Sequence, residues 1–275
     1  MKRNAAIVGL AVLVLSLSAC SRAASIKGDS APVSGNHEHE RHEMGSSEIQ
    51  GMWRLNPELP TPKSNTRIQF MAHGPDGKLV TEFAVMHEKL LHLIVVSKDL
   101  SYFNHIHPDY DGEGVFTIDT TFPFGGEYRL FAEFQPEGGG SVVSRQAILL
   151  SGKAESKPLI PDTTLTKSTG QEIVTLTYDR LAAGEETNLT FHIADAKTKK
   201  PATDLEPYLG AAGHVVIISG DSEQYIHVHP IDAKGADSAP AFHATFPAPG
   251  IYKVWGQFAR EGRPITVSYT LQVRM

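Results

Sequence analysis

The sequence predicts an all-β chain organised as two tandem antiparallel sandwiches, and three observations predict it. Glycine and proline are frequent, at 24 and 17 of 275 residues, and fall in many short clusters. That distribution argues against a helical bundle and for a turn-rich β chain. Between the clusters lie short runs rich in β-branched and aromatic residues. One half of the chain then recurs in the other at constant spacing. With 41% hydrophobic residues the chain can pack a core, which rules out global disorder. The formal charge of −6 argues against a nucleic-acid phosphate binder, so no nucleic-acid partner is expected. A single cysteine excludes an internal disulfide framework and a cysteine-based zinc site.

Taken in chain order, the first element is a signal segment. Lys2 and Arg3 precede an apolar stretch from Ala5 to Ser18 that is short for a bilayer span. It ends in Leu17-Ser18-Ala19-Cys20, which resembles a bacterial lipobox. The resemblance implies cleavage after residue 19 and lipid attachment at Cys20. Several acyl chains, at about 0.8 kcal/mol per buried CH₂, would hold the protein stably on a membrane. An ordinary secretory peptide or an uncleaved anchor is the plainer alternative. Loss of residues 1–19 removes Lys2 and Arg3 and no acidic group, moving the charge from −6 to −8. With Cys20 lipidated, no thiolate remains for a blue-copper site. A bacterial envelope location, extracytoplasmic and lipid-anchored, follows from this reading.

Residues 20–50 read as a flexible tether of Ser, Gly, Ala and charged groups. Inside it His37, His39 and His42 alternate with carboxylates, either as a loose metal-catching tail or as a solvated linker. Residues 51–152 form the first expected sandwich, 153–162 a linker with Pro158 and Pro161, and 163–275 the second. In the first half, strands are predicted over Thr66–Met71, Leu91–Ser97, Tyr102–His107, Val115–Thr121 and Glu127–Phe134. The second half offers Ile173–Tyr178, Asn188–Ile193, Val215–Ser219, Tyr225–His229, Phe242–Phe246, Ile251–Phe258 and Pro264–Val273. Strands at this spacing fit antiparallel sandwiches with Greek-key connections.

The halves are copies. Lys78 to Pro108 overlays Lys200 to Pro230 without gaps, with eight identities. After a two-residue gap, Thr121-Phe122-Pro123 matches Thr245-Phe246-Pro247, Gly126 matches Gly250, and Tyr128 matches Tyr252. Three of the eight identities are histidines: His92/His214, His105/His227 and His107/His229.

That trio has a readable geometry. Residues at i and i+2 on a strand share a face, so His105 and His107 project together. A hairpin centred between Asp99 and Leu100 puts His92 opposite His107, on that same face. A hairpin centred between Asp221 and Ser222 does the same for His214 and His229. Each half would then hold three imidazoles in one pocket: His92, His105 and His107 in one, and His214, His227 and His229 in the other. Three neutral imidazoles suit a copper or zinc ion, with water or one more side chain completing the shell. Met86 faces Tyr208 in the copy, so a thioether ligand is not a shared feature. A structural role for the rings is the alternative. His87 and Glu88 sit near the first trio, and His243 near the second, as accessory ligands. His73, beside a turn, and His192, within a strand, rank lower.

At His87-Glu88-Lys89, His92-Leu93-Ile94-Val95-Val96, Pro207-Tyr208-Leu209-Gly210, Gly213-His214 and Tyr225-Ile226-His227-Val228-His229-Pro230, the chain resembles bacterial secreted proteins of the YtkA-like kind. The resemblance covers roughly residues 65–150 and 172–273. It implies immunoglobulin-like or cupredoxin-like sandwiches of the envelope, often found beside copper and heavy-metal handling systems. The His-Val-His strand is also similar to that of copper–zinc superoxide dismutases. A bridging histidine, a zinc-loop histidine cluster and paired cysteines are absent from the sequence, so dismutase activity is not expected.

The reading that follows is a lipid-anchored, metal-binding envelope protein that buffers copper or zinc or passes it to an envelope metal-handling protein. The alternative is a non-metal interaction or adhesion module with structural histidines. A metalloenzyme ranks third, because no repeated Glu or Asp base stands near the trio and no other catalytic signature appears.

Overall fold

Alternation along the strands sets the architecture. In Thr66–His73, Thr66, Ile68 and Phe70 are buried while Arg67 is exposed, as expected of a strand with one face on a core. The computed structural model describes residues 49–226, 228–231 and 238–275. The expected signal segment 1–19, Cys20, His37, His39, His42 and His227 lie outside the described residues.

The described residues are all-β, with antiparallel sheets throughout. The first repeat contributes β1 (Gln50–Asn56), β2 (Thr66–His73), β3 (Phe83–Ala84), β4 (Leu91–Ser97), β5 (Phe103–Ile106), β6 (Asp109–Tyr110), β7 (Val115–Thr120), β8 (Gly126–Pro136) and β9 (Val142–Leu150). One sheet runs β1-β2-β7-β6, the other β3-β8-β4-β5 with β9 on the far side of β8. The second repeat contributes β10 (Thr166–Ser168), β11 (Glu172–Tyr178), β12 (Glu186–Asp195), β13 (Leu205–Glu206), β14 (His214–Ser219), β15 (Tyr225–Ile226), β16 (His229–Pro230), β17 (Ala241–Thr245), β18 (Gly250–Arg260) and β19 (Arg263–Val273). Its sheets run β10-β11-β12-β17-β16 and β13-β18-β14-β15, with β19 beside β18.

Each pair of sheets encloses its own aromatic core, around Phe70, Phe116 and Phe134 in one repeat and Phe191, Phe242 and Phe258 in the other. Each also carries a tyrosine corner of the immunoglobulin-like kind. The Tyr128 hydroxyl donates to Phe124 O at 2.9 Å and the Tyr252 hydroxyl to Ala248 O at 2.8 Å.

Strands β4 and β14 are buried on both faces. Leu93 and Val95 enter the first core, and Val215 and Ile217 the second. Their alternate neighbours Ile94, Val96, Val216 and Ile218 meet between the repeats, with Leu100, Phe131 and Trp255. Fully burying such a side chain stabilises by about 1.5–3 kcal/mol. Phe103 stacks on Trp255 at 4.7 Å, and Phe131 packs at a tilt against Tyr225 at 5.6 Å. At one end of this interface Glu223 receives Lys98, Arg129 and Arg145, at 3.1, 2.6 and 2.9 Å. The segment read as a linker is tied to both sides. Lys157 N donates to the Asp99 carboxylate, and Asp162 N to Thr270 O.

Candidate metal centre

The β4–β5 hairpin assembles the first trio. It pairs Leu93 with Ile106 and Ile94 with His105, the register that the sequence predicts. His92 near the start of β4, His105 in β5 and His107 just beyond it therefore share the face turned to the second repeat. One ring nitrogen from each lies within 4.8 Å of the others. His92 Nδ1 stands 3.0 Å from His105 Nε2 and 3.2 Å from His107 Nε2.

The remote nitrogens decide which atoms face inward. His92 Nε2 lies 2.9 Å from Met86 O, and a carbonyl can only accept, so Nε2 carries the proton. His105 Nδ1 lies 2.7 Å from Gln257 Oε1 and donates to it. The Gln257 amide nitrogen donates to Thr266 Oγ1 at 3.5 Å, which turns its oxygen toward His105. In the neutral rings, His92 Nδ1 and His105 Nε2 are therefore bare lone pairs. A remote N–H held by a backbone carbonyl or side-chain acceptor is how metal-binding imidazoles are oriented. Burial keeps the rings neutral: it lowers the pKa of His92, and pushes His105 down to about 4 and His107 to about 3.

His214 of the second repeat joins this cluster. Its ring lies 5.1 Å from His92 at an interplanar angle of 27°, 5.3 Å from His105, and 4.5 Å edge-on from His87. Its Nε2 is buried without a hydrogen-bond partner. Burial pushes its pKa down to about 2. Gly213 admits β14 to this place, since a Cβ there would lie 2.5 Å from the Phe258 ring.

His87 and Glu88 form a two-residue turn with φ of 47° and 65°, closed by mutual Met86–Lys89 hydrogen bonds of 2.8 and 2.9 Å. Left-handed backbone at non-glycine residues costs roughly 1–2 kcal/mol each. The turn aims His87 at His214 and brings Met86 O to His92. Its copy, Leu209-Gly210, keeps the conformation with φ of 52° and 72°. Glu88 is exposed over Gly210 and stands outside the close nitrogen group.

Of the second trio, the two described members, His214 and His229, are not brought together. Strands β14 and β15 pair Ile217 with Ile226 and Ile218 with Tyr225, which is the predicted register. The chain then leaves that sheet, and His229-Pro230 pairs with His243-Phe242 in the opposite sheet. His214 therefore does not face His229. The crossing to the opposite sheet comes two repeat positions earlier than in the first repeat, where β6 begins at Asp109, so His229 is taken into that sheet while its equivalent His107 is not. His243 sits beside His229, its Nδ1 3.7 Å from Glu186 Oε1, away from the cluster. His192 bonds Thr177 Oγ1 at 2.9 Å.

Two residues that sequence reasoning passed over shape the site. Glu133 faces His92 across β4–β8, and Gln257 faces His214 across β14–β18. They occupy the same position in the two repeats, and both are buried. Glu133 accepts the Tyr225 hydroxyl at 2.8 Å. A polar residue at the same place in the apolar stretches Leu130–Phe134 and Val254–Phe258 was the available signal.

Both repeats, residues 47–147 and 167–275, match a family described as a domain of unknown function, DUF8832. The chain belongs to that family. Each DUF8832 repeat corresponds to one sandwich, and the composite histidine cluster lies where the two repeats meet. No curated protein matches the chain. Similar solved structures are bacterial adhesins and immunoglobulin-like domains. They include the Escherichia coli adhesin FdeC, at 16% identity over 81% of this chain and 63% of that one, with a TM-score of 0.27. The Yersinia pseudotuberculosis adhesin InvE is similar at 11% identity over 85% and 61%, with a TM-score of 0.27. Domains 4 and 5 of the S-layer protein SbsC match at 11% identity over 83% and 100%, with a TM-score of 0.24. This chain spans less than two thirds of the length of the two adhesin chains.

Proposed function

We propose that this chain is an envelope metal-binding protein that holds a copper or zinc ion at His92, His105 and His107, for buffering or delivery to an envelope metal-handling protein. One observation carries the reading: two bare imidazole nitrogens 3.0 Å apart, with a third ring nitrogen 3.2 Å away, in rings whose remote nitrogens donate to Met86 O and Gln257. Facing lone pairs repel unless a cation or proton lies between them, and burial opposes the proton. An all-nitrogen set favours Cu(II) over Zn(II) in intrinsic affinity.

The test is a Cu(II) and Zn(II) titration of the full chain with His37, His39 and His42 changed to Ala. Tight binding that disappears in a His92→Ala, His105→Ala double variant is expected. Equal binding by the double variant refutes the reading. Anchoring through Cys20 belongs to the same proposal, and Cys20→Ser should move the protein from the membrane to the soluble fraction.

A second reading is a non-metal interaction or adhesion module. It is favoured by the tandem immunoglobulin-like architecture and by the hydrogen bonds that already seat His92 and His105. It requires that neither ion raise the melting temperature and that chelators leave it unchanged.

A further inference from the structure

We infer that the ion site is a joint between the two repeats, with His214 as its fourth nitrogen ligand, so that one chain holds one ion there and the ion clamps the sandwiches together. This rests on the metal reading of the first-repeat trio.

The argument starts from the symmetry of the interface. Phe103 is equivalent to Tyr225, and Phe131 to Trp255, by the repeat alignment. Across the interface the pairs are Phe103 with Trp255 and Phe131 with Tyr225. Exchange of equivalent partners is the mark of a two-fold relation. On such an axis equivalent residues meet one another, and His92 and His214 do so, 5.1 Å apart.

The spacing of the rings fits one ion. Metal–nitrogen bonds of about 2.0–2.1 Å in tetrahedral geometry place imidazole centres about 5 Å apart. His92, His105 and His107 are separated by 5.2, 5.0 and 4.7 Å. His214 lies 5.1 and 5.3 Å from His92 and His105, in the same range. Among the described residues the close nitrogen group contains the first three rings alone, so His214 must turn within its place to complete the shell. Its Nε2 is the ring nitrogen with a reason to turn, being buried and without a partner. A buried polar atom left unpaired is costly, and ligation would relieve that cost. The second repeat already takes part through Gln257, which fixes the tautomer of His105.

The joint predicts more than a trio would. The full chain with His37, His39 and His42 changed to Ala is loaded with Cu(II). Nitrogen ligands are counted by electron paramagnetic resonance and X-ray absorption. The unaltered cluster should give one tight ion per chain and four imidazoles. His214→Gln should weaken binding at least tenfold and leave three. His229→Gln should match the parent in both. If His214→Gln keeps the parent affinity and ligand count while His92→Gln abolishes binding, the joint is refuted and the trio stands. If His92→Gln binds like the parent, the metal reading fails, and the joint with it. Circular dichroism checks the fold. Should His214→Gln not fold, the count on the parent decides alone, four imidazoles supporting the joint and three overturning it.

Discussion

Acidifying the ion-free protein should destabilise it in the range where its buried histidines resist protonation. Burial lowers the pKa of His105, His107 and His214 to about 4, 3 and 2, and that of His92 in the same direction, from 6.5. The unfolded chain binds these protons near pH 6.5, and the folded chain does not. Stability is therefore fully present above pH 6.5 and falls as the pH drops, until the folded pKa values are reached. Each excluded proton costs about 1.4 kcal/mol per pH unit. Two of these rings, His105 and His214, together give a loss of about 3 kcal/mol between pH 7.5 and 5.5, and His92 and the more open His107 add to it. That is a large part of the roughly 5–15 kcal/mol that domains usually possess. The carboxylate of Glu223, held down to about 2 by Arg129 and Lys98, begins to contribute only below its unfolded pKa of 4.5. The window from pH 7.5 to 5.5 therefore isolates the histidines. Urea unfolding with chelator at pH 7.5, 6.5 and 5.5 reads the effect, using fluorescence of Trp255 at the interface and Trp53 in the first sandwich. A change below about 1 kcal/mol would mean that the rings protonate freely in the fold, and would refute the reasoning.

Three further variants test the same geometry. Gln257→Leu removes the acceptor of the His105 N–H and should lower Cu(II) or Zn(II) affinity by about 10–100-fold, measured by competition titration, with the fold retained. Ile94→Ala opens a cavity at a fully buried interface position, and should cost about 2–5 kcal/mol in urea unfolding. Glu88→Gly relieves a left-handed backbone at an exposed turn residue with φ of 65°, and should stabilise by up to about 1 kcal/mol. The same Glu88 variant should leave ion affinity unchanged in titration, because its carboxylate stands outside the nitrogen group.

The hairpin registers were legible because both turns repeat their chemistry. Ser97 and Ser219 donate to Asp99 and Asp221, and Leu100 and Ser222 take φ of 55° and 63°. With the turn fixed, the pairing of every residue behind it is fixed too. The edges were less legible. Strand β1 begins at Gln50, the last residue read as tether, and its largely exposed side chains give little apolar signal. Strand β9 also escaped, since Ser144-Arg145-Gln146 interrupt its apolar residues. The face shared by the repeats was written in the sequence but not read. Leu93-Ile94-Val95-Val96 and Val215-Val216-Ile217-Ile218 do not alternate, and an unbroken apolar strand needs a cover on both sides. Treating each half as a separate sandwich left that second cover unassigned, and with it the partner of His214.

Duplication across a two-fold relation explains why three repeated histidines need not make two equal sites. A position near the axis meets its own copy, so His92 and His214 fall into one cluster rather than two. A position far from the axis is separated from its copy, and the two can then serve different ends. His107 closes the cluster, while His229 pairs with His243 in the opposite sheet. Specialisation is visible at Glu133 and Gln257, which stand at one repeat position and face the interface from opposite sides. Glu133 accepts a hydroxyl from Tyr225, whereas Gln257 accepts the N–H of His105. Either residue changed to its counterpart would alter one of these bonds and leave the other. Glu133→Gln alone should therefore perturb the Tyr225 ring resonances and Gln257→Glu alone those of His105 in NMR spectra, each without the other, which two self-contained copies could not show.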